Sequence, residues 1–161
     1  MEFSQITAPA RPSPIFMLPP PLYFGLSFGL AMLLQRLVPL ELPDFGARPM
    51  LGWLLIAAGI AFGPILAAFF LLRRTTLNPF GSPRRLFEGG VYRLSRNPMY
   101  LGVVMIYLGG CLLAGSYWPL LLLIVPLGLL AQIVIPYEEA SMRLTFGPAY
   151  EDYCHRVRRW L

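Results

Sequence analysis

The 161-residue chain has a formal net charge of +5, is 57% hydrophobic and only 13% charged, and has a mean hydropathy of +0.61. Soluble domains carry about 25% charged residues, so the composition excludes an ordinary soluble domain and predicts one integral membrane domain. We expect no nucleic-acid partner, because no basic face is interleaved with exposed aromatic residues. With two Cys and one His, we also expect neither a disulfide framework nor a metal site.

The first half of the chain is predicted to be a scaffold of two transmembrane helices. Residues 1–14 are rich in Pro, Ser, Thr and Ala and lack the features of a signal peptide, so we expect a disordered or surface-lying N-terminus. Residues 15–72 then hold two apolar spans, at about 21–38 and 50–72. Small-residue pairs in these spans predict close helix packing within the domain, with a dimer interface as the alternative: Gly25 with Gly29, and Gly59 with Gly63.

Residues 73–161 are predicted to form the functional core, which begins with a basic loop. Residues 73–97 contain one acid, Glu88, and an excess of Arg that predicts a cytoplasmic position: Arg73, Arg74, Arg84, Arg85, Arg93 and Arg96. Two further spans, at about 98–115 and 119–136, follow as a helical hairpin, and Pro126 is predicted to kink the second span. Cys111 lies within the hairpin, where its apolar setting disfavours a nucleophilic thiolate.

The tail, residues 137–161, is predicted to be an amphipathic helix, because apolar residues recur at helical spacing: Phe146, Tyr150, Tyr153 and Val157. Such a helix lies on the membrane surface, and a lid that turns at Gly147 and Pro148 is the alternative. The complete pattern predicts an all-α integral membrane protein. It has about four transmembrane helices, a C-terminal amphipathic cytoplasmic helix and both termini in the cytoplasm.

Polar residues that bracket the hairpin are the candidates for chemistry. Residues 96–102 (Arg-Asn-Pro-Met-Tyr-Leu-Gly) place a cation beside the free N–H groups of a helix start, which suits an anionic ligand group. Asn97 is a good N-cap and Pro98 a good first helical residue, so a simple helix start is the alternative. The hairpin returns Glu138 and Glu139 to the same end, where they either pair with Arg96 and meet a ligand or are merely solvated.

These motifs together resemble the isoprenylcysteine carboxyl methyltransferase family and its phospholipid methyltransferase relatives. The family pattern is Arg-His-Pro-x-Tyr-x-Gly, an apolar hairpin, Glu-Glu, Phe-Gly-x-x-Tyr-x-x-Tyr and a Val-Pro-Arg-Trp-like end. Matching stretches stand at residues 96–102, 138–139, 146–153 and 157–160, and residues 76–80 and 90–93 look like the bacterial branch. Asn97 replaces the family His, and Arg158 replaces the Pro. The resemblance covers about residues 75–161.

The resemblance implies a membrane enzyme that uses S-adenosylmethionine and releases S-adenosylhomocysteine at the cytoplasmic face of the bacterial inner membrane. The implied cofactor-binding residues are Tyr92, Arg96, Asn97, Pro98, Tyr100, Leu101, Gly102, Glu138 and Glu139. The implied catalytic residues are Arg96, Glu139 and Arg143. The implied substrate or lid residues are Tyr107, Tyr150, Tyr153 and Arg159, although the position of Tyr107 favours a packing role.

The expected substrate is a small amphipathic or lipid-like acceptor with a carboxylate, amine or thiol, which enters from the bilayer. Two other functions are open. One is a sterol-reductase-like oxidoreductase that binds NADPH, and the other is a non-catalytic lipid-binding membrane module. The sequence decides neither the acceptor nor the oligomeric state.

Overall fold

The computed structural model describes residues 18–63, 86 and 88–161, and within these ranges it is all-helical apart from one isolated β-bridge. The helices are α1 (Pro20–Leu37), α2 (Arg48–Phe62), α3 (Pro98–Ala114), α4 (Tyr117–Phe146) and α5 (Pro148–Arg156). A short 3-10 helix, Gly90–Arg93, precedes α3. The all-α prediction is confirmed, and the predicted N-terminus, the end of the second span and most of the basic loop lie outside the described residues.

One helix of the described part of the chain, α4, is long and apolar enough to cross a membrane. Its 30 residues span about 45 Å at 1.5 Å per residue. Helices α2 and α3 are shorter apolar helices. Four crossings, the cytoplasmic side and the bacterial inner membrane therefore stay predictions.

Glycines bring α2 and α3 into close antiparallel contact. A Cβ on Gly59 would lie 2.6 Å from the Gly102 carbonyl oxygen, and a Cβ on Gly109 would lie 2.6 Å from the Gly52 carbonyl oxygen. Backbones that approach this closely leave no space for any side chain, so the predicted packing role of the second small-residue pair is confirmed. No described residue packs against the first pair: Gly25 is exposed and a Cβ built on it meets no atom within 4 Å, and the same holds for Gly29. The alternative role of this pair, a dimer interface, stays a prediction.

Helix α4 continues ten residues beyond its predicted end at Pro136. Its α-helical segments, Tyr117–Leu122, Ile124–Leu129 and Ile135–Phe146, are joined through a π-helical segment, Leu130–Val134. Pro126 has no N–H to donate to the Leu122 carbonyl, and Ser27 of α1 donates to this oxygen instead, at 3.0 Å. The π segment ends at Val134, two residues before Pro136, so the irregular hydrogen bonding of the backbone lies beside the proline that lacks an N–H donor.

The connection between α1 and α2 is hydrogen-bonded to the connection between α3 and α4. Leu42 N–H donates to the Gly115 carbonyl at 2.8 Å, and Tyr117 N–H donates to the Leu40 carbonyl at 2.9 Å. Gly115, with φ of 63°, ends α3, and the Ser116 side chain accepts from the Trp118 N–H at the start of α4. These bonds place both connections at one end of the molecule. The first residues of α1 and α3 therefore lie at the other end.

The tail folds back onto the protein rather than extending as one helix from residue 137. Gly147, with φ of 52°, separates α4 from α5, and the residues after Arg156 lie outside any helix. Tyr150, Tyr153 and Val157 are buried together against the half-buried Tyr92 and Phe146. The apolar face of the tail therefore covers the end of the helical hairpin, which favours the predicted lid over a helix lying on the membrane surface.

Candidate functional site

A buried carboxylate, that of Glu139, is surrounded by three guanidinium groups. Arg159 donates to both of its oxygens, with Nε–Oε1 of 3.0 Å and Nη2–Oε2 of 2.8 Å. Arg96 lies 3.4 Å from Oε1 and Arg143 lies 3.9 Å from Oε2. We call Arg96, Arg143 and Arg159 around Glu139 the arginine half of the site. With three cations against one buried acid, this half attracts a further anion, although Arg143 also pairs with Glu151 at 2.8 Å.

Within the arginine half, Arg96 is the least exposed guanidinium, and only 13% of its side chain is accessible. Its Nη1 donates to the sulfur of Cys154, while its Nε is buried and donates to none of the described residues. A buried donor without an acceptor is rare in native proteins. This N–H is therefore a candidate ligand contact.

The adjacent Glu138 meets a different environment. The Tyr100 hydroxyl donates to Glu138 Oε1 at 2.6 Å. The electrostatic field of Glu138 also reaches Tyr23 of α1 and Tyr92 of the 3-10 helix. We call Tyr23, Tyr92 and Tyr100 around Glu138 the tyrosine half. Aromatic faces beside a carboxylate form a surface that suits an organic cation.

Hydrogen bonds to the backbone hold the chain end against the start of α3. Arg96 N–H donates to the Arg158 carbonyl at 3.0 Å, and the Arg159 carbonyl accepts from Ser95 Oγ at 3.2 Å and from Asn97 Nδ2 at 3.0 Å. Asn97 is the N-cap residue of α3, as predicted, but its side chain makes no cap hydrogen bond and binds the tail instead. These bonds aim the Arg159 guanidinium at Glu139.

Helix α5 closes the site from one side. Tyr153 donates to the Tyr92 carbonyl at 2.7 Å, and the Arg143 guanidinium lies 5.9 Å from the centre of the Tyr150 ring. Burial raises the pKa of Tyr153 to about 12 and also raises the pKa of Tyr150. Both phenols are therefore neutral near pH 7. The hydrogen bonds to Glu139 raise the pKa of Arg159, which keeps it cationic.

An apolar groove of about 300 Å³ lies between α3, α4 and the chain end. Leu101 and Val104 of α3, Leu127 and Ala131 of α4, and Trp160 line it. Leu101 follows Tyr100 in the chain, and Trp160 follows Arg159, so one groove residue is adjacent in sequence to a member of each polar half. This volume lies at the lower end of the range for ligand sites.

The structure gives packing positions to three of the other residues expected at the site. Pro98 is the first residue of α3 and is buried, as predicted. Gly102 forms the close contact with α2, where a Cβ would lie 2.5 Å from the Gly63 nitrogen. Tyr107 is 5% exposed and its hydroxyl donates to the Pro119 carbonyl at 3.0 Å, in the core and against Phe28. These are contacts of packing residues, and a role of Tyr107 in substrate binding stays a prediction.

Three residues at the site were not identified from the sequence. Ser95 is 1% exposed and bonds the tail, Cys154 accepts from Arg96, and Tyr23 reaches the tyrosine half from α1. The sequence offered a possible signal only for Ser95, which directly precedes Arg96. Cys154 and Tyr23 approach the site through tertiary packing, which no local pattern reveals. Within the described ranges, no group of three or more His, Cys, Asp or Glu side chains could hold a metal ion.

Comparison with known families connects this site to a group of enzymes. A family model described as phospholipid methyltransferase matches residues 47–149. This range contains α2, α3, α4 and both acids of the site, whereas Tyr23, most of α5 and the extended chain end lie outside it. No significant match was found among curated proteins or among solved structures.

Proposed function

The chain belongs to the phospholipid methyltransferase family, a family of membrane methyltransferases, and from this premise we propose that it transfers a methyl group from S-adenosylmethionine to an amphipathic, lipid-like acceptor. The match confirms the family resemblance of the motifs; the bacterial branch stays a prediction. One observation carries the proposal. Consecutive residues, Glu138 and Glu139, join a half of the site that suits a cation to a half that suits an anion, and the same helices line an apolar groove.

The donor set of the two halves fits the polar groups of S-adenosylmethionine. Its carboxylate matches the arginine half, where Arg96 Nε is a buried donor with no acceptor among the described residues. Its ammonium group or ribose hydroxyls match the Glu138 carboxylate. When bound, S-adenosylmethionine supplies an electrophilic methyl group on a positively charged sulfur.

The two acids have different tasks in this proposal. Both oxygens of Glu139 are hydrogen-bonded to Arg159, so Glu139 positions the cations rather than accepting a proton. Among the described residues, Glu138 has one side-chain donor, Tyr100, and its second oxygen can accept a proton from an amine acceptor. A carboxylate acceptor needs no base. Glu139 is among the catalytic residues that the family resemblance implies, whereas the geometry favours Glu138 as the base.

The apolar groove and the lid serve the acceptor. A hydrocarbon chain that lies along Leu101 and Trp160 would place an attached polar group at the two halves. The tail and α5 keep water from the reacting groups, because Tyr150 and Tyr153 fill the side of the site. Positioning of this kind can supply a large share of the rate acceleration of a methyl transfer.

Calorimetry with S-adenosylhomocysteine, on protein that is folded in detergent, tests the proposal. We expect a dissociation constant in roughly the micromolar range for the wild type and at least a ~10-fold weaker one for Arg96→Ala. Arg36→Ala is the matched control, because Arg36 is exposed in the last turn of α1 at the opposite end. Absence of binding to the folded wild type would refute the proposal.

The same titration separates the alternatives. If the protein is a reductase, NADPH displaces S-adenosylhomocysteine or binds in its place. If it is a non-catalytic lipid binder, neither nucleotide binds. The methyltransferase proposal requires binding of S-adenosylhomocysteine that NADPH does not displace.

A further inference from the structure

Tyr23 stands out because its hydroxyl is buried and has no hydrogen-bond partner within the part of the chain that the structure describes. The oxygen is inaccessible to solvent, and none of the described residues donates to it or accepts from it. Nearly all buried polar groups in native proteins are paired. Tyr23 also lies in α1, outside the residues that match the family model.

The Tyr107 hydroxyl shows what a tyrosine of the core does in this fold. It donates to the Pro119 carbonyl at 3.0 Å and lies 3.4 Å from Ser27 Oγ, so its polar end is satisfied within the protein. The rings of Phe24 and Tyr107 pack edge to face, with centroids 5.8 Å apart. Tyr23 directly precedes Phe24 in α1, yet its hydroxyl makes no such hydrogen bond to any residue that the structure describes.

The surroundings of Tyr23 are those of the candidate site. Tyr23 and Tyr100 pack against the same buried cluster, and the charge of Glu138 acts on both side chains. Tyr100 is the residue that donates to Glu138, at 2.6 Å. The Tyr23 hydroxyl therefore belongs to the tyrosine half, which receives one side chain from each of α1, the 3-10 helix, α3 and α4.

We propose that the Tyr23 hydroxyl contacts the ligand, where it completes the tyrosine half from a helix outside the matched family region. A phenol both donates and accepts, and beside a carboxylate it pairs best with a ligand group that carries N–H or O–H hydrogens. That group is either on the methyl donor, as its amino or ribose groups, or on the polar head of the acceptor. The inference rests on the proposed function.

Tyr23→Phe tests the inference, because it removes only the hydroxyl. The matched control is Tyr107→Phe, which removes a hydroxyl that is bonded within the core. We measure the melting temperature of the ligand-free protein, the dissociation constant for S-adenosylhomocysteine, and the KM for acceptor in a total lipid extract. Tyr23→Phe should leave the melting temperature unchanged or raised, whereas Tyr107→Phe should lower it and leave the affinity for S-adenosylhomocysteine within about twofold.

The ligand measurements identify the source of the contact. A dissociation constant for S-adenosylhomocysteine that rises about 5- to 10-fold in Tyr23→Phe assigns the contact to the methyl donor. An unchanged dissociation constant with a similarly raised KM assigns it to the acceptor. Both results support the inference.

Two results overturn it while the proposed function stands. One is an active Tyr23→Phe variant with unaltered dissociation constant and KM. The other is a fall in its melting temperature equal to that of Tyr107→Phe, which would show a partner inside the protein. A folded wild type that neither binds S-adenosylhomocysteine nor transfers methyl groups overturns the proposed function and this inference together.

Discussion

Glu138 and Glu139 are consecutive residues of α4, but Tyr100 donates to the first at 2.6 Å while Arg159 binds both oxygens of the second. Side chains of consecutive residues point about 100° apart on a helix with 3.6 residues per turn. One helix can therefore serve two polar environments. Glu139 organises the arginine half. Glu138 has a second carboxylate oxygen that accepts from no described side chain and can bind a ligand.

Glu139→Gln should destabilise the protein much more than Glu138→Gln. Loss of the Glu139 charge leaves the buried Arg96 guanidinium without its counter-ion, at a cost of about 2–4 kcal/mol in the free energy of unfolding. Glu138→Gln keeps an acceptor for Tyr100 and should cost less than about 1 kcal/mol. Denaturant unfolding in detergent measures both variants, and equal stabilities would show that the buried ion pairs do not organise the site.

Asn97→Ala should loosen the chain end. It removes one of the two side-chain donors to the Arg159 carbonyl, and a lost hydrogen bond of about 1 kcal/mol corresponds to about fivefold more frequent opening. Tryptic cleavage after Arg158 and Arg159 should accelerate by this factor. Thr145→Ala, which removes an exposed bond within α4, is the control. Cleavage of Asn97→Ala at the wild-type rate would mean that the remaining bonds, including those from Ser95 and Arg96, hold the tail without Asn97.

Gly102→Ala should disrupt the packing of α2 against α3. The new Cβ would lie 2.5 Å from the Gly63 nitrogen and 2.7 Å from the Gly59 carbonyl oxygen, and neither backbone atom can yield easily. We expect a loss of about 1–3 kcal/mol in stability. Gly25→Ala meets no atom within 4 Å and should be neutral or slightly stabilising. If thermal melting shows Gly25→Ala to be less stable than Gly102→Ala, the close contact between α2 and α3 is contradicted.

Ala131→Leu should reduce methylation of long-chain acceptors, because the added atoms fill the groove between α3, α4 and Trp160. We expect the KM for such acceptors to rise about tenfold, as for a lost apolar contact of about 1–2 kcal/mol, with unchanged affinity for S-adenosylhomocysteine. Ala57→Leu, on the exposed face of α2, is the control. An unchanged KM would place the acceptor chain outside the groove.

Much of the fold follows from local signals in the sequence. Pro98 as the first residue of α3, the turn at Gly115 and Ser116, and the return of Glu138 and Glu139 to the Arg96 end all depend on helix starts, helix ends and the length of the hairpin. The end of α4 was predicted wrongly, because Pro136 was taken as a terminator. A π-helical segment before it lets the helix continue.

The side-chain partners within the site depend on tertiary packing and were not predictable in detail. The sequence indicated that Glu138 or Glu139 could meet Arg96, but which acid does so depends on the rotation of α4 after the π segment. The bond from Asn97 to the Arg159 carbonyl joins residues 62 positions apart, and no local pattern encodes it. Tyr23 reaches the site from α1 for the same reason.

Methyl transfer itself is the most direct test of the central claim. Folded protein in detergent is incubated with S-adenosylmethionine carrying a labelled methyl group and with a total lipid extract, and the label in organic-soluble species is then measured and identified. We predict label in an amphipathic lipid with the wild type and a strong loss of label with Arg96→Ala. If folded wild-type protein leaves all label in the aqueous phase across the extract, the assignment as a methyltransferase of lipid-like acceptors is wrong.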